Sequence, residues 1–209
     1  VATAVSSFYN IIDRIFIGHG VGPLAISGLA LTFPLLNLSA AFGSLVGVGS
    51  SAMISIRLGE KNRDGAIHIL GNALFLNVVL GISYTIIMLS FLDQILFVFG
   101  ASRDTLPYAK DFMQIILLGN VFTHIYLGLN SIMRASGYPR QSMITTLLTV
   151  LINIILAPLF IFHFRWGIKG AATATVCAQF FGTAWGLIHF SNKKHYVHFI
   201  RRYFKPKVK

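Results

Sequence analysis

The sequence predicts an all-α, polytopic membrane protein with six transmembrane helices, and three observations lead to this fold class. Apolar residues occupy 55% of the 209 positions and charged residues only 11%, too few to coat a soluble globule of this size. The apolar residues form long runs, and a helix needs roughly 20 such residues to cross about 30 Å of hydrocarbon. Short segments that carry glycine, proline or charge separate these runs.

Each apolar run predicts one helix. The first ends near Gly18 and is expected to be cut short at its start, because the chain begins at Val1. The second extends from about 24 to 58 with a kink expected at Pro34, since proline removes an intrahelical hydrogen bond. Four more helices are expected at about 66–99, 105–135, 141–164 and 168–190. The linkers are short, so sequential helices should be antiparallel and should form a compact bundle.

The basic residues predict the orientation of this bundle. Most of the 17 lysine and arginine residues fall in the loops after the second and fourth helices and in the C-terminal tail, all on one side of the membrane. Arg103, Lys110, Arg165 and Lys169 fall on the other side. By the positive-inside rule the first side is cytoplasmic, so six crossings place both chain ends in the cytoplasm. The net charge of +11 is therefore attributed to topology and to contact with membrane lipids, and it gives no argument for a nucleic-acid partner.

No residue pattern predicts an enzyme, a cofactor or a metal site. Cys177 is the one cysteine, so neither an intrachain disulfide nor a thiolate metal cluster can form. The seven histidines lack the spacing of metal ligands, and the sequence has no nucleophile with a base, phosphate-binding glycine loop or pair of acids. His124 stands apart inside the fourth helix, where it either forms a hydrogen bond to a neighbouring helix or has a functional role.

One carboxylate lies within an early apolar segment, SSFYNIIDRIFIGHG at residues 6–20. A carboxylate at membrane depth costs several kcal/mol unless it is protonated, paired or directed into a polar cavity, which makes Asp13 a functional candidate. Tyr9 and Asn10 precede it by one helical turn and share its face, whereas Arg14 points roughly 100° away. Two alternatives remain open, because Asp13 could instead lie near the membrane interface or pair with Arg14.

Polar side chains in the later helices predict a wet cavity opposite Asp13. Taken singly, each of them is as compatible with hydrogen bonding between helices as with a site. Together they indicate a shared polar space. The set comprises Asn120, Thr123 and Asn130 in the fourth helix, Thr149 and Asn153 in the fifth, and Thr175 and Gln179 in the sixth.

The run YNIIDRIFIGHGVGPLAISGLALTFP resembles the first helix, the outer loop and the start of the second helix of the multidrug and toxic compound extrusion (MATE) family of cation-coupled efflux transporters. The resemblance continues in the family's order through RLGEKNRDGA, LFVFGAS, SIMRASGYPR, NIILAPLFIF and WGIKGAATATV. It implies that residues 1–190 are one six-helix lobe of a transporter with twelve helices in two lobes. Residues 191–209 would then be a basic cytoplasmic linker toward the second lobe.

The resemblance also implies roles for single residues. Asp13 matches the first-helix acid implicated in proton or sodium coupling, and Tyr9 matches a tyrosine on the same face. Asn130, Asn153 and Thr175 match polar cavity residues of the fourth, fifth and sixth helices in members with a defined cation site in this lobe.

One position departs from the family pattern. Many relatives have an acidic residue four positions after the fifth-helix asparagine, whereas this chain reads NIILAP with Ala157 there. A carboxylate is therefore missing beside Asn153, and the expected coupling ion is the proton, with sodium the less favoured choice. The expected coupling residues are Asp13, Tyr9, Asn153 and Thr175, and the expected substrate-cavity residues are Asn10, Asn130 and Gln179.

The sequence therefore predicts a proton-coupled antiporter that exports organic cations or drugs across the plasma membrane, with no enzymatic activity. The expected partners are a small organic cation, membrane lipids and the second lobe. A flippase for lipid-linked saccharides shares the wider superfamily architecture, but more cavity arginines than Arg14 would be expected to meet a pyrophosphate. A non-transporting membrane scaffold would need neither an intramembrane acid nor a polar face, and it is the third alternative.

Overall fold

The computed structural model of the protein describes residues 14–192 and 196–199. These residues form a bundle of helices, and they contain no strand. The first helix, α1, is helical from residue 14, where the description begins, to residue 20. A π-helical turn at Leu159–His163 extends the seventh helix. The later helices are α2 (Pro23–Gly59), α3 (Arg63–Ser90), α4 (Leu92–Val98), α5 (Leu106–Leu118), α6 (Asn120–Ala135), α7 (Pro139–Pro158) and α8 (Ile168–Ser191).

Proline, asparagine and glycine residues mark where several of these helices begin or end. A proline stands at the first or second position of α2, α5 and α7, where the helix does not use its missing N–H. Asn62 caps α3, because its side-chain oxygen accepts a hydrogen bond from the Gly65 amide over 2.8 Å. Gly137 separates α6 from α7 with a φ of 88°, in the left-handed region that favours glycine.

Four of these helices are long and apolar enough to cross a membrane, namely α2, α3, α7 with its π-helical turn, and α8. α5 and α6 add a fifth span if the bent pair counts as one. α1 is described only from residue 14, so a sixth span at that position stays a prediction. The expected second, fifth and sixth helices are confirmed in position and extent. α2 continues without interruption through Pro34, and the kink expected there stays a prediction.

The prediction of the third and fourth helices as single elements is wrong, because each of them is divided into two helices. The third is α3 followed by the short α4, with the break at Phe91. α4 is held beside α5 by Asp93, which accepts a 2.7 Å hydrogen bond from Lys110. The fourth is α5 followed by α6, which are bent by 57° at Gly119. Gly119 lies so close to α8 that a Cβ there would overlap the Val176 side chain.

The π-helical turn at the end of α7 follows from a proline inside the helix. Pro158 has no N–H and its ring crowds the carbonyl of the preceding turn, which widens the helix locally. The Phe164 amide accordingly bonds to the Leu159 carbonyl, five residues back, over 3.1 Å.

α2, α3 and α6 pack closely where their glycines meet. A Cβ on Gly47 of α2 would lie 2.9 Å from the Gly128 Cα of α6, and one on Gly43 would lie 3.2 Å from the His124 Cα. On α3, a Cβ on Gly81 would lie 3.6 Å from the His124 Cγ. Because small residues let helix backbones approach each other, these glycines determine the spacing of the three helices.

Two clusters of buried apolar side chains fill the bundle. One includes Ile17, Leu96, Met113, Ala171 and Ile161, near the end where α1 meets α2. The other includes side chains near the opposite end of the bundle. Along α2, the cavity residue Ser39 lies between Leu35 of the first cluster and Val46 of the second. The second cluster contains Ile54, Ile67, Leu70, Ile132, Met133 and Phe190 among others.

A tail segment, residues 196–199, lies against the end of the bundle where α3 begins. Arg63 Nε donates to the Tyr196 carbonyl over 2.8 Å, and the Arg63 guanidinium lies 5.3 Å from the centre of the Tyr196 ring. The Phe199 amide donates to the Phe190 carbonyl of α8 over 2.7 Å, and Val197 is fully buried. The start of α3 and the tail segment, both expected on the basic side of the membrane, therefore lie together.

Candidate functional site

A cavity of about 270 Å³ lies among α1, α2, α5, α6 and α8. This volume is slightly below the roughly 300–1,000 Å³ that is typical of small-molecule pockets. Apolar side chains of α2 and α5 form one part of the wall, and polar side chains of α6 and α8 form much of the rest. The lining residues are Arg14, Leu29, Phe33, Leu36, Ser39, Ala40, Phe112, Ile116, Asn120, Thr123, Tyr126, Leu127, Thr175 and Gln179.

Two polar contacts join α6, α7 and α8 at this wall. The Thr123 hydroxyl of α6 donates to Oε1 of Gln179 on α8. The Thr175 hydroxyl donates to the Ala171 carbonyl over 3.1 Å, and its oxygen accepts from Asn153 Nδ2 of α7, also over 3.1 Å. The structure thus brings Thr175 and Gln179 to one wall, with Asn153 directly behind Thr175.

Asn153 has an unused hydrogen-bond acceptor. The residue is 3% exposed, and its Oδ1 is buried with no hydrogen-bond partner within the described part of the chain. Ala157, one turn further along α7, is also buried and adds only a methyl group. Among residues 14–192 and 196–199, no three His, Cys, Asp or Glu side chains are grouped closely enough to hold a metal ion. The described residues around Asn153 can therefore offer a cation neutral oxygen atoms.

A second polar group lies where α2 meets α6. Ser39 donates a hydrogen bond to Asn120 Oδ1, and both residues line the cavity. His124 lies behind them and is fully buried, with its Nε2 3.2 Å from Ser39 Oγ and 3.4 Å from Asn120 Nδ2. His124 Nε2 thus lies within hydrogen-bond distance of Ser39 on the neighbouring α2, the contact that one of the two expected roles requires.

α1 reaches the cavity through Arg14, the residue that follows Asp13. The Arg14 guanidinium lies 5.7 Å from the centre of the Phe33 ring of α2, a cation–π contact. Arg14 is the one formally charged side chain among the described lining residues. Asp13, Tyr9 and Asn10 lie outside the described residues, so their roles stay predictions.

Asn130 was expected in the substrate cavity, but the structure does not place it among the lining residues. It lies about 15 Å further along α6 than Asn120, ten residues at about 1.5 Å each. Its Nδ2 donates to the Ser142 carbonyl over 3.1 Å, and its Oδ1 accepts from Ser142 Oγ over 2.7 Å and from Arg134 Nη1 over 3.0 Å. These bonds join α6 to the start of α7.

Sequence patterns do not identify Ser39 or Tyr126 as cavity residues. Ser39 lies in the run SAAFGS, where small residues predict close helix packing. The signal that could have located this wall is the Gly119–Asn120 step, because glycine followed by a polar residue marks an interruption in an apolar helix. In membrane transporters, interrupted helices often supply the polar groups of a binding site.

The hydrogen bonds determine what the wall can offer to a ligand. The hydroxyl groups of Ser39, Thr123 and Thr175 each donate their single proton to another group of the protein. The oxygen atoms of Ser39 and Thr123 keep acceptor capacity, since each hydroxyl oxygen has two lone pairs, whereas the Thr175 oxygen already accepts from Asn153. The NH₂ groups of Asn120 and Gln179, whose amide oxygen atoms accept from Ser39 and Thr123, add hydrogen-bond donors to the wall. Together with Arg14, the wall therefore combines donors and acceptors with aliphatic and aromatic surface.

The amino-acid sequence of the chain matches a known protein family and individual members of known function. A family model described as MatE matches residues 1–159. The multidrug export protein MepA of Staphylococcus haemolyticus (strain JCSC1435) is 34% identical over 206 residues, which cover 99% of this chain and 46% of that relative. The chain therefore spans about half the length of the curated relatives that it matches.

Solved structures extend the similarity to three dimensions. The outward-facing conformation of a multidrug resistance MATE family transporter of the MOP superfamily matches with a TM-score of 0.92 and 28% identity. The inward-facing conformation of such a transporter matches with a TM-score of 0.91, also at 28% identity. Both matches cover 99% of this chain and 46% of the other. The chain is thus similar to one half of a MATE transporter, and equally similar in both conformations.

Proposed function

The chain belongs to the MatE family, and we propose on this premise that it is the first six-helix lobe of a two-lobe transporter that exports organic cations in exchange for protons. The relatives that are about twice as long support a second lobe as its partner. Residues 1–190 form the proposed lobe, and residues 191–209 form the proposed basic linker. The proposed location is the plasma membrane, with both ends of this chain in the cytoplasm.

The hydroxyl and aromatic groups of the cavity wall are the observation that supports the choice of substrate. Ser39 and Thr123 use their hydroxyl protons inside the protein, so at these two residues a ligand meets an oxygen atom. Phe33 and Phe112 add aromatic surface to the same wall. An apolar molecule with a positive charge finds both features favourable.

Proton coupling is proposed to occur at Asp13. Protonation removes a negative charge at membrane depth, where the charged form is costly, and it also removes the charge that attracts the organic cation. Proton and substrate would then exclude one another, and differential binding to two packings of the lobe would couple them. Ala157 supports the proton over sodium, because the described residues near Asn153 supply no second carboxylate.

The near-equal similarity to an outward-facing and an inward-facing transporter supports movement of the lobe as one unit. The TM-scores of 0.92 and 0.91 differ little, although the two reference structures differ in conformation. A change of access is then proposed to arise from rocking of one lobe against the other rather than from refolding within this one.

The two alternatives find less support. A pyrophosphate-bearing lipid requires several cationic groups, and Arg14 is the one formally charged side chain among the described cavity residues. A scaffold has no need for a polar cavity, and the buried Ser39, Asn120 and Asn153 would burden it with groups that are costly to desolvate.

The test is transport by the full-length protein that carries this chain, purified and reconstituted into lipid vesicles. We expect an imposed proton gradient to drive ethidium across the membrane, and an equal sodium gradient at constant pH to have little effect. The 209-residue chain alone should insert but should not transport, because it forms only part of the cavity. Absence of ethidium movement in the full-length protein under any ion gradient would contradict the proposal, and a requirement for sodium would contradict its coupling ion.

A further inference from the structure

His124 lies behind the cavity wall in a position that favours a small or apolar residue. It is fully buried where α2, α3 and α6 meet, and Gly43 and Gly81 make room for it. The Tyr84 ring of α3 lies 6.2 Å from the His124 ring, centre to centre. An aromatic hydrocarbon would fill this space equally well, so the ring nitrogen atoms are what distinguish histidine here.

The two ring nitrogen atoms have different surroundings. Nε2 lies 3.4 Å from Asn120 Nδ2 and 3.2 Å from Ser39 Oγ. Nδ1 is buried with no hydrogen-bond partner among the described residues. An amide N–H can donate to Nε2 only when Nε2 carries no hydrogen, and in that arrangement the neutral ring carries its hydrogen on Nδ1 and does not donate to Ser39. The other tautomer carries its hydrogen on Nε2 and donates to Ser39 Oγ instead.

From this geometry we infer that His124 is a positioning residue that gives the cavity wall its preference for cations. The inference rests on the proposed function and identifies the residue that determines selectivity at this wall. His124 accepts one N–H of the Asn120 amide, which directs Asn120 Oδ1 toward Ser39. Ser39 then donates its only proton to that oxygen, and its remaining lone pairs are available to the ligand.

Removal of the His124 acceptor reverses this arrangement. The Asn120 amide then has no partner behind the wall that fixes its direction, and it can rotate so that its NH₂ donates to Ser39. The Ser39 proton becomes free to point into the cavity, and the wall gains a donor where it had an acceptor. A donor at this position disfavours a cationic ligand and leaves an uncharged apolar ligand almost unaffected.

The test compares three variants of the full-length protein by equilibrium binding of ethidium and of the uncharged dye Nile red. In His124→Phe, which keeps the ring and removes the acceptor, we expect the preference for ethidium over Nile red to fall by about tenfold, the effect of one hydrogen bond. His124→Gln supplies a side-chain oxygen as acceptor and should retain most of the preference. Tyr84→Phe removes a neighbouring buried hydroxyl without touching Ser39 or Asn120, and it should leave the preference unchanged.

A second measurement keeps the inference testable if His124→Phe fails to fold. In wild-type protein labelled with ¹⁵N-histidine, the chemical shifts of His124 should show Nδ1 protonated and Nε2 unprotonated, and Asn120→Ala should shift Nε2 most. A protonated Nε2 in neutral His124 would overturn the inference, as would an unchanged dye preference in His124→Phe. Failure of the wild type itself to prefer ethidium would instead contradict the proposed function, and the tautomer would still report on His124.

Discussion

Asn153 of α7 donates from Nδ2 to Thr175 Oγ1 of α8 over 3.1 Å, while its own Oδ1 is buried without a partner among the described residues. The pair therefore has the oxygen atoms of a cation site without an acid. Ala157 lies one turn beyond Asn153 and is 1% exposed, so this position of α7 carries a methyl group in place of a carboxylate. Under the proposed function, this side chain is the one expected to favour the proton over sodium.

We expect Ala157→Asp to create sodium dependence. The new carboxylate would join Asn153 Oδ1 and Thr175 Oγ1, and hard cations prefer such oxygen ligands. Without sodium the variant should be less stable than wild type by up to about 3 kcal/mol, because an unpaired buried charge is costly. Melting temperature in sodium chloride against choline chloride measures the effect. Ala157→Asn is the matched control, and an equal sodium response in both variants would contradict the prediction.

Asp13→Asn should abolish proton-coupled efflux by the full-length protein while insertion and folding remain intact. The side chain keeps its size and loses its ability to ionise, so drug binding should no longer release protons. If Asp13 is an unpaired acid, its removal should leave the melting temperature unchanged or raise it. If instead it pairs with Arg14, the melting temperature should fall, because the arginine is left uncompensated. A much lower melting temperature, or continued proton release on drug binding, would return Asp13 to a structural role.

Gly47→Ala should destabilise the lobe by roughly 1–3 kcal/mol, the usual cost of overpacking a tight contact. The added Cβ would lie 2.9 Å from the Gly128 Cα, and neither backbone can move away without separating α2 from α6. Gly49→Ala on the same helix is the matched control, since a Cβ there would have no atom of another described residue within 4 Å, apart from the backbone of its own helix. That variant should be unchanged or slightly more stable, because alanine favours helix. Equal melting temperatures for the two variants would show that the Gly47 contact does not limit packing.

Gly119→Ala should destabilise the lobe, and Val176→Ala in the same chain should relieve much of that effect. A Cβ at Gly119 overlaps the Val176 side chain, so the cost of the first change depends on the second residue. A double-mutant cycle of thermal unfolding should therefore give a favourable interaction energy of about 1 kcal/mol or more. Strictly additive effects would mean that the bend between α5 and α6 tolerates a side chain at this position.

The helices that could be predicted from sequence are those defined by local properties. Length, apolar composition and flanking proline or glycine were sufficient for α2, α7 and α8. The division of the third and fourth helices depends on contacts between segments distant in sequence. Asp93 meets Lys110 across seventeen positions, and Gly119 meets Val176 of another helix. Hydropathy contains no information about such contacts, so both runs look continuous.

The cavity was predictable only in part, because local sequence reveals some of its residues and contacts between distant helices determine the others. Thr175 and Gln179 stand one helical turn apart in the run GAATATVCAQ of mostly small residues, and both line the wall. Ser39 could not be distinguished from packing residues, because its role depends on Asn120 of a distant helix. Asn130 is a polar residue of the kind expected in a site. Its position along α6, however, places it in contact with Ser142 and not at the cavity wall.

The tail segment has a mechanical consequence for the bundle. Because Arg63 of α3 holds Tyr196 and the Phe190 carbonyl of α8 holds Phe199, a pull on the chain at residue 199 is divided between two helices. Tension at residue 199 therefore acts on the first turn of α3, which its Asn62 cap stabilises, as well as on the last turn of α8. It must break the contacts of the tail segment with both helices before it can unwind α8.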